Sequence, residues 1–151
     1  FENRAQALSL PRVIIITSRA SASSSELVIN GLKPLVPVTL IGRRTYGKPV
    51  GQYGFNFCEK VVFPVSFKSV NSLGDGDFYN GFLTDCPMRD GFNRPLGHRK
   101  EAMLSEAIYY LENGVCSPDS ESERKLTAQR KLSFIEPTTH PIGFEHLINA
   151  W

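Results

Sequence analysis

The chain has 151 residues, the length of one domain, and 41% of them are hydrophobic against 21% charged, a composition typical of globular proteins. Its 17 Lys and Arg nearly balance 15 Asp and Glu, and the net charge of +2 argues against a dedicated nucleic-acid binder, which carries a concentrated basic face. No apolar run approaches the roughly 18 residues of a membrane span. The chain opens with Phe1 rather than Met, so the absence of a targeting signal is uninformative.

The first predicted elements are a strand, a helix and a second strand. Residues 12–17 (RVIIIT) form an apolar run rich in β-branched side chains, which predicts a buried strand. A cluster of small residues follows at 18–25, and residues 26–32 have the pattern of a short helix whose apolar side holds Leu27, Val28 and Leu32. Residues 38–42 (VTLIG) predict another buried strand. This order favours a parallel crossover unit in an α/β sheet.

Two further strands are predicted at 50–57 and 61–70, with a turn between them. In the second of these, apolar and polar residues alternate, which is typical of a half-buried strand. Pro64 places that strand at an edge or at a bulge, because proline cannot donate to a sheet ladder. Residues 71–99 are rich in Gly, Asp, Asn and Pro and are interpreted as a loop.

The clearest helix is predicted at 100–113, where Met103 and other apolar residues recur at helical spacing and Gly114 follows as a C-terminal cap. Residues 117–136 are polar and charged and are interpreted as a linker or solvated tail. Residues 142–151 are apolar enough for docking on another part of the protein to be expected.

The three cysteines, Cys58, Cys86 and Cys116, allow either one disulfide and a free thiol or three buried thiols. Cys86 and Cys116 flank the loop and helix that close the domain, so a bridge between them is the first hypothesis, and a disulfide would indicate an oxidising compartment. No CxxC pair exists and no His lies at zinc-ligand spacing from a Cys, so no metal site is expected.

Serines are concentrated where the first strand passes into the first helix. Ser23 is a natural N-cap, and with Glu26 it has the S-x-x-E spacing of a capping box. Backbone N–H groups converge at a helix N-terminus with a favourable dipole, as an oxyanion requires, so a serine there is a candidate nucleophile if a base is available. The alternative is a serine-rich cap with no chemistry.

A second candidate segment, 42–52 (GRRTYGKPVGQ), follows the next predicted strand. In a parallel unit it returns to the same end of the sheet as the serine cluster, which is where open α/β sheets build their sites. Lys48 lies in this segment and is a candidate base, since burial can lower the pKa of a lysine towards neutrality. The alternative is a solvated lysine in a surface turn.

Together the two segments resemble the C-terminal processing peptidases, also called tail-specific proteases. The resemblance rests on S-A-S-S-S-E at 21–26 and G-x-x-T-Y-G-K-x-x-x-Q at 42–52. The family's nucleophile is the third residue of the first motif, which here is Ser23. The family's lysine lies 25 residues further on, which here is Lys48, and the glutamine found in some members four residues later is Gln52.

The resemblance implies a serine endopeptidase acting on extended or C-terminal segments of protein substrates. Ser23 is expected to form an acyl-enzyme, with Lys48 taking its proton and Gln52 orienting the Lys48 amine. The backbone N–H of Ser24 is expected to supply half of the oxyanion hole. One position departs from the family pattern, because Pro34 stands where some members have an aspartate eleven residues after the nucleophile, and no role for that aspartate is expected here.

The resemblance also implies an α/β fold of crotonase-like or ClpP-like type, with a ββα core and a mixed sheet. Residues 1–116 are interpreted as the C-terminal portion of the peptidase catalytic domain and 117–151 as a polar linker and tail. The second oxyanion donor, a glycine N–H, and any PDZ module that captures substrate are expected before Phe1, so this portion alone is not expected to turn over substrate. No cofactor is expected. The family's location is the bacterial cell envelope, either periplasmic or extracytoplasmic, including lipoproteins.

A second hypothesis is a binding or scaffolding module with the same fold and an unused dyad, because fold alone does not determine function. The presence of Ser23, Lys48 and Gln52 together favours catalysis, since a degenerate binder is expected to have lost at least one of them.

Overall fold

The computed structural model of the chain describes residues 8–133 and shows a mixed α/β architecture. The elements, in chain order, are β1 (Val13–Thr17), α1 (Ser24–Leu32), β2 (Val38–Gly42), β3 (Val50–Gln52), β4 (Phe55–Phe57), β5 (Lys60–Val62), β6 (Val65–Lys68), β7 (Cys86–Pro87), α2 (Ala102–Asn113) and α3 (Pro118–Ser133). None of the helices in this part of the chain is both long and apolar enough to cross a membrane.

The predicted crossover unit is confirmed, because β1 and β2 are parallel neighbours with α1 between them in sequence. Their register pairs Val13 with Val38 and Thr17 with Gly42, so both strands end at the same edge of the sheet. Immediately beyond that edge the Arg43 N–H donates to the Thr17 carbonyl at 2.9 Å. The segments that follow β1 and β2 therefore start side by side.

A third parallel strand, β7, pairs with β2 inside the segment that the sequence predicts as loop. Asp85 leads into it, donating its N–H to the Leu40 carbonyl and accepting the Leu40 N–H on Oδ2, both at 2.8 Å. The strand has only two residues and one of them is Pro87, so it has no alternation by which a sequence pattern could reveal it.

The buried apolar side chains come from α1, the β2 and β7 strands, α2 and the segment after the antiparallel strands, namely Ile29, Leu40, Ile41, Phe78, Cys86 and Met103. On α1 the predicted apolar side is wrong. Leu27 and Val28 are about half exposed, and Ile29 is the buried apolar residue. The helix is only nine residues long, and its composition does not distinguish Ile29 from its apolar neighbours.

Residues 50–68 form a two-part antiparallel ribbon, in which β3 pairs with β6 and β4 pairs with β5. Each predicted long strand is divided in two, and the second is interrupted next to Pro64, which cannot donate to a ladder. The expected half-burial is wrong, because every residue of β4, β5 and β6 is exposed. Alternation shows which side chains share a face, whereas burial depends on a second element covering that face.

The ribbon is tied to the segment that follows it through Lys68 of β6, whose amine is hydrogen-bonded and ion-paired with Asp77. The hydrogen bond to the Asp77 carboxylate raises the pKa of Lys68 above its ordinary value. This pairing places the start of segment 78–82 next to the ribbon.

Helix α2 is confirmed, with Glu101 capping its first turn through the Met103 N–H and Gly114 ending it at φ +73°. The linker expected after it is instead the helix α3 over most of its length. The Ser117 hydroxyl accepts the Ser120 N–H at 3.2 Å, and the buried Glu106 carboxylate accepts the Ser117 N–H at 3.0 Å. These caps, with Pro118 at the first helical position, start a helix from a sequence whose polarity alone indicated solvated chain.

The predicted disulfide joins Cys86 of β7 to Cys116, which precedes α3, while Cys58 is an exposed free thiol. The bridge therefore fastens the α2–α3 junction to the sheet. The docking expected for residues 142–151 falls outside the described residues.

Candidate active site

Ser23 occupies the N-cap of α1 with a backbone conformation that is unusual for a residue other than glycine, φ +50° and ψ −108°. Such strained conformations persist only where the surroundings enforce them, and they cluster at functional sites. Ser24 is the first residue of α1, so its N–H belongs to the first turn, where backbone donors have no partner within the helix. The sequence therefore places Ser23 and the Ser24 N–H together at the positive end of a helix dipole.

Lys48 lies in the segment that follows β2, and its side chain is half-buried. The Tyr46 N–H donates to the Ser21 carbonyl at 2.9 Å, which joins this segment directly to the one carrying Ser23. Gly47, next to Lys48, has φ +100°, a conformation that glycine adopts without strain. The predicted meeting of the two segments at one edge of the sheet is confirmed.

The carboxylate of Glu26 lies between the two segments and is fully buried. Its Oε2 accepts the N–H of Ser23 at 3.0 Å and the N–H of Lys48 at 2.8 Å. Its Oε1 accepts the Gly47 N–H and the Thr45 hydroxyl, both at 2.6 Å. One carboxylate oxygen thus holds the backbones of the candidate nucleophile and the candidate base.

The side chains of the predicted site are less closely connected than the backbone. Among the residues that the structure describes, no hydrogen bond joins Ser23 Oγ to Lys48 Nζ, and none joins Gln52 to Lys48. Gln52 ends β3, half-buried, at a register irregularity in the pairing with β6. Catalytic hydrogen bonds often tighten only when substrate is bound, and the roles of the three residues stay predictions.

Glu26 and Thr45 are the residues of this site that the sequence reasoning missed. The sequence predicts Glu26 only as half of a capping box, and that half is present in the bond to Ser23. Thr45 is 3% exposed and lies within the T-Y-G-K motif, but its type gave no reason to assign it a function. A carboxylate three residues after an N-cap serine is a common local signal, and nothing in its spacing reveals the donors that reach it from the second segment.

One group of potential metal ligands exists within residues 8–128, formed by Cys86, Glu106 and Cys116. Both sulfur atoms are bonded to each other in the disulfide, and the Glu106 carboxylate already accepts the Ser117 N–H. Metal-binding cysteine is a thiolate, so the oxidised pair offers no such ligand.

The fold and this site define an α/β protein with a strained serine at a helix N-terminus and a lysine segment beside it. The model of peptidase family S41 matches residues 2–81, and the chain belongs to that family. A solved structure described as a "Putative S41 protease from Bacteroides fragilis NCTC 9343" is similar, with a TM-score of 0.64 and 26% sequence identity. The similarity covers 73% of this chain and 30% of that one, so this chain spans under a third of its structural relative. No curated protein matches the sequence significantly.

Proposed function

We propose that this chain carries the nucleophile and the base of a serine endopeptidase that cleaves protein or peptide substrates. The observation that carries the proposal is the shared Glu26 oxygen, which holds the Ser23 and Lys48 backbones together at a helix N-terminus. Membership of peptidase family S41 supports peptide hydrolysis as the reaction.

In the proposed mechanism Ser23 Oγ attacks the scissile carbonyl carbon and gives its proton to the amine of Lys48. The negative charge that develops on the carbonyl oxygen is stabilised by the Ser24 N–H, aided by the dipole of α1. The proton then passes from Lys48 to the leaving amine, and the acyl-enzyme forms. Water, deprotonated by Lys48, attacks the acyl carbon, the ester bond to Ser23 Oγ breaks, and Lys48 returns the proton to Ser23 Oγ, while Gln52 orients the Lys48 amine.

The domain organisation and the cellular location are also proposals, supported by membership of peptidase family S41. We infer that residues 1–116 are the C-terminal portion of a catalytic domain of crotonase-like or ClpP-like fold, and that a second oxyanion donor and any PDZ module precede it in the polypeptide. We also propose the bacterial envelope as its location. The Cys86–Cys116 disulfide supports an oxidising compartment.

The test is peptide cleavage by the full-length polypeptide that contains this chain, with Ser23→Ala and Lys48→Ala as the diagnostic variants. Both are expected to lower kcat by about 10⁴-fold or more, because nucleophile and base act as a unit. Matched controls are Ser25→Ala, an exposed serine of the same helix turn, and Lys60→Ala, an exposed lysine of the ribbon. Neither control is expected to change kcat.

Equal cleavage by the wild type and both variants would contradict the dyad. A wild type that binds peptides without cleaving them would favour the binding or scaffolding module instead.

A further inference from the structure

The Lys48 segment has a second neighbour that the proposed mechanism does not use, the segment 78–82 (FYNGF). Thr45 hydrogen-bonds both to Glu26 and to this segment. Its hydroxyl donates to Glu26 Oε1 at 2.6 Å and accepts the Phe82 N–H at 2.7 Å, and its own N–H donates to the Phe82 carbonyl at 3.1 Å. Thr45 therefore links segment 78–82 to the carboxylate that holds Ser23 and Lys48.

The two segments also approach each other too closely for side chains at two positions. A Cβ atom on Gly47 would lie 2.2 Å from the Tyr79 carbonyl oxygen, and one on Gly81 would lie 2.1 Å from the Thr45 carbonyl oxygen. Real Cβ atoms do not come this near backbone, so either substitution must push the segments apart. Both glycines also have positive φ, +100° and +70°. The two backbones are therefore in direct contact, and no space remains for a side chain at either glycine.

Segment 78–82 is itself fixed in place. Phe78 is buried and stacks on Phe82 with ring centroids 4.8 Å apart, and the Gly81 N–H donates to the Phe78 carbonyl at 2.9 Å. The amine of Lys33, at the end of α1, lies 4.2 Å from the centre of the Phe82 ring. The segment thus contacts the same helix that presents Ser23 at its other end.

We propose that segment 78–82 is a positioning element of the active site, which acts through Thr45 and Glu26 to hold Lys48 in register with Ser23. This inference rests on the proposed peptidase function. Thr45 and Gly81 are its positioning residues, and neither needs to touch substrate. The physical reason is that both oxygens of the Glu26 carboxylate are already engaged by donors, so a shift of Thr45 changes the geometry of the bonds to Gly47 and Lys48.

The consequence for catalysis follows from the sensitivity of reaction rate to alignment. A displacement of about 1 Å, caused by a change away from the reacting atoms, can cost about 10²-fold in rate. Because segment 78–82 is proposed to align the base and not to bind peptide, the loss is expected in kcat, with KM little changed.

The test compares Gly81→Ala with Gly114→Ala in the full-length polypeptide. Gly114 has nearly the same φ, +73°, and nothing lies within 4 Å of the Cβ that would be added, so the control carries the backbone strain without the collision. Gly81→Ala is expected to lower kcat by about 10²-fold, whereas Gly114→Ala leaves kcat unchanged. An unchanged kcat in Gly81→Ala, or equal losses in both variants, overturns the proposal.

A second pair keeps the proposal testable if Gly81→Ala does not fold. Thr45→Val removes the hydroxyl with little change of shape and is expected to lower kcat by about 10²-fold, while Thr45→Ser keeps the hydroxyl and is expected to restore most of it. Equal kcat values for Thr45→Val and Thr45→Ser overturn the proposal.

Hydrogen exchange separates this proposal from that of peptidase activity. In Gly81→Ala and Thr45→Val the amides of Gly47 and Lys48, which donate to Glu26, are expected to exchange faster than in the wild type, whether or not the protein cleaves peptides. Unchanged exchange at both amides contradicts the positioning role. A wild type no more active than Ser23→Ala, with faster exchange in these variants, contradicts only the peptidase function.

Discussion

Glu26 illustrates how much a single residue contributes at this site. Its carboxylate is removed from solvent and accepts hydrogen bonds from Ser23, Thr45, Gly47 and Lys48, which come from two separate segments of the chain. Carboxylate oxygens only accept, and these four groups all donate to it. An amide in the same place would turn one acceptor into a donor and leave buried N–H or O–H groups without a partner.

We expect Glu26→Gln to lower the free energy of unfolding by about 1–3 kcal/mol, the cost of leaving buried donors unpaired. The matched control is Glu106→Gln, since Glu106 is also a buried carboxylate that caps a helix N-terminus, in the α2–α3 region. Urea unfolding measures both losses, which are expected to be similar. The kcat of the proposed peptide cleavage, measured on folded protein, is expected to fall in Glu26→Gln alone. Equal kcat values would show that Glu26 contributes stability and nothing to the site.

Among the elements, β2 and α1 contribute buried core residues, whereas every residue of β4, β5 and β6 is exposed. The β1–α1–β2 unit brings Ser23 and Lys48 together, and Ile41 in β2 is completely buried. The ribbon at 50–68 has apolar side chains in plenty, yet Phe57 is 69% exposed. An apolar side chain is therefore expected to contribute more to the free energy of unfolding in β2 than in the ribbon.

We expect Ile41→Ala to lower the free energy of unfolding by about 2–5 kcal/mol, through lost burial and the cavity that remains. Phe57→Ala, which removes a larger side chain from an exposed strand, is expected to change it by no more than about 0.5 kcal/mol. Chemical denaturation of the two variants measures the difference. A loss above 1 kcal/mol in Phe57→Ala would mean that the ribbon packs against another part of the protein.

For the molecule as a whole, the α3 end is fastened to the sheet by covalent and polar contacts. The Cys86–Cys116 bridge closes a loop with a sequence separation of 30 residues, and Arg89 and Glu123 add an ion pair between the β7 side and α3. Arg124 of α3 also donates to the Asp85 carbonyl, next to Cys86. The first part of the predicted tail, up to Arg124, is therefore attached to the fold, although most of its side chains are exposed.

Removing the bridge in Cys86→Ala/Cys116→Ala is expected to lower the free energy of unfolding by about 2–4 kcal/mol, because the unfolded chain without the bridge has a higher conformational entropy. Cys58→Ala is the control, since that exposed thiol has no bridge to lose, and its stability is expected to match the wild type. Addition of a reductant to the wild type is expected to reproduce the loss in thermal unfolding. No change on reduction would contradict this role of the bridge.

The structure confirms the Cys86–Cys116 bridge, which the sequence gives only as the first hypothesis. The sequence predicts the strand–helix–strand unit, the serine cap and helix α2 from short local patterns. It also identified the motifs that place the chain in peptidase family S41. The helix α3 was outside its reach, because the caps at Ser117 depend on Glu106 from another helix.

Packing in three dimensions sets three features: the exposure of strands β4, β5 and β6, the burial of Glu26, and the contact between segment 78–82 and the Lys48 segment. Each of these depends on groups far apart in the chain meeting in space. The donors to Glu26 lie up to 22 residues away, and the Phe82 N–H that reaches Thr45 lies 37 residues away. Local sequence patterns record periodicity and capping over a few residues, whereas burial and long-range hydrogen bonding are fixed by packing.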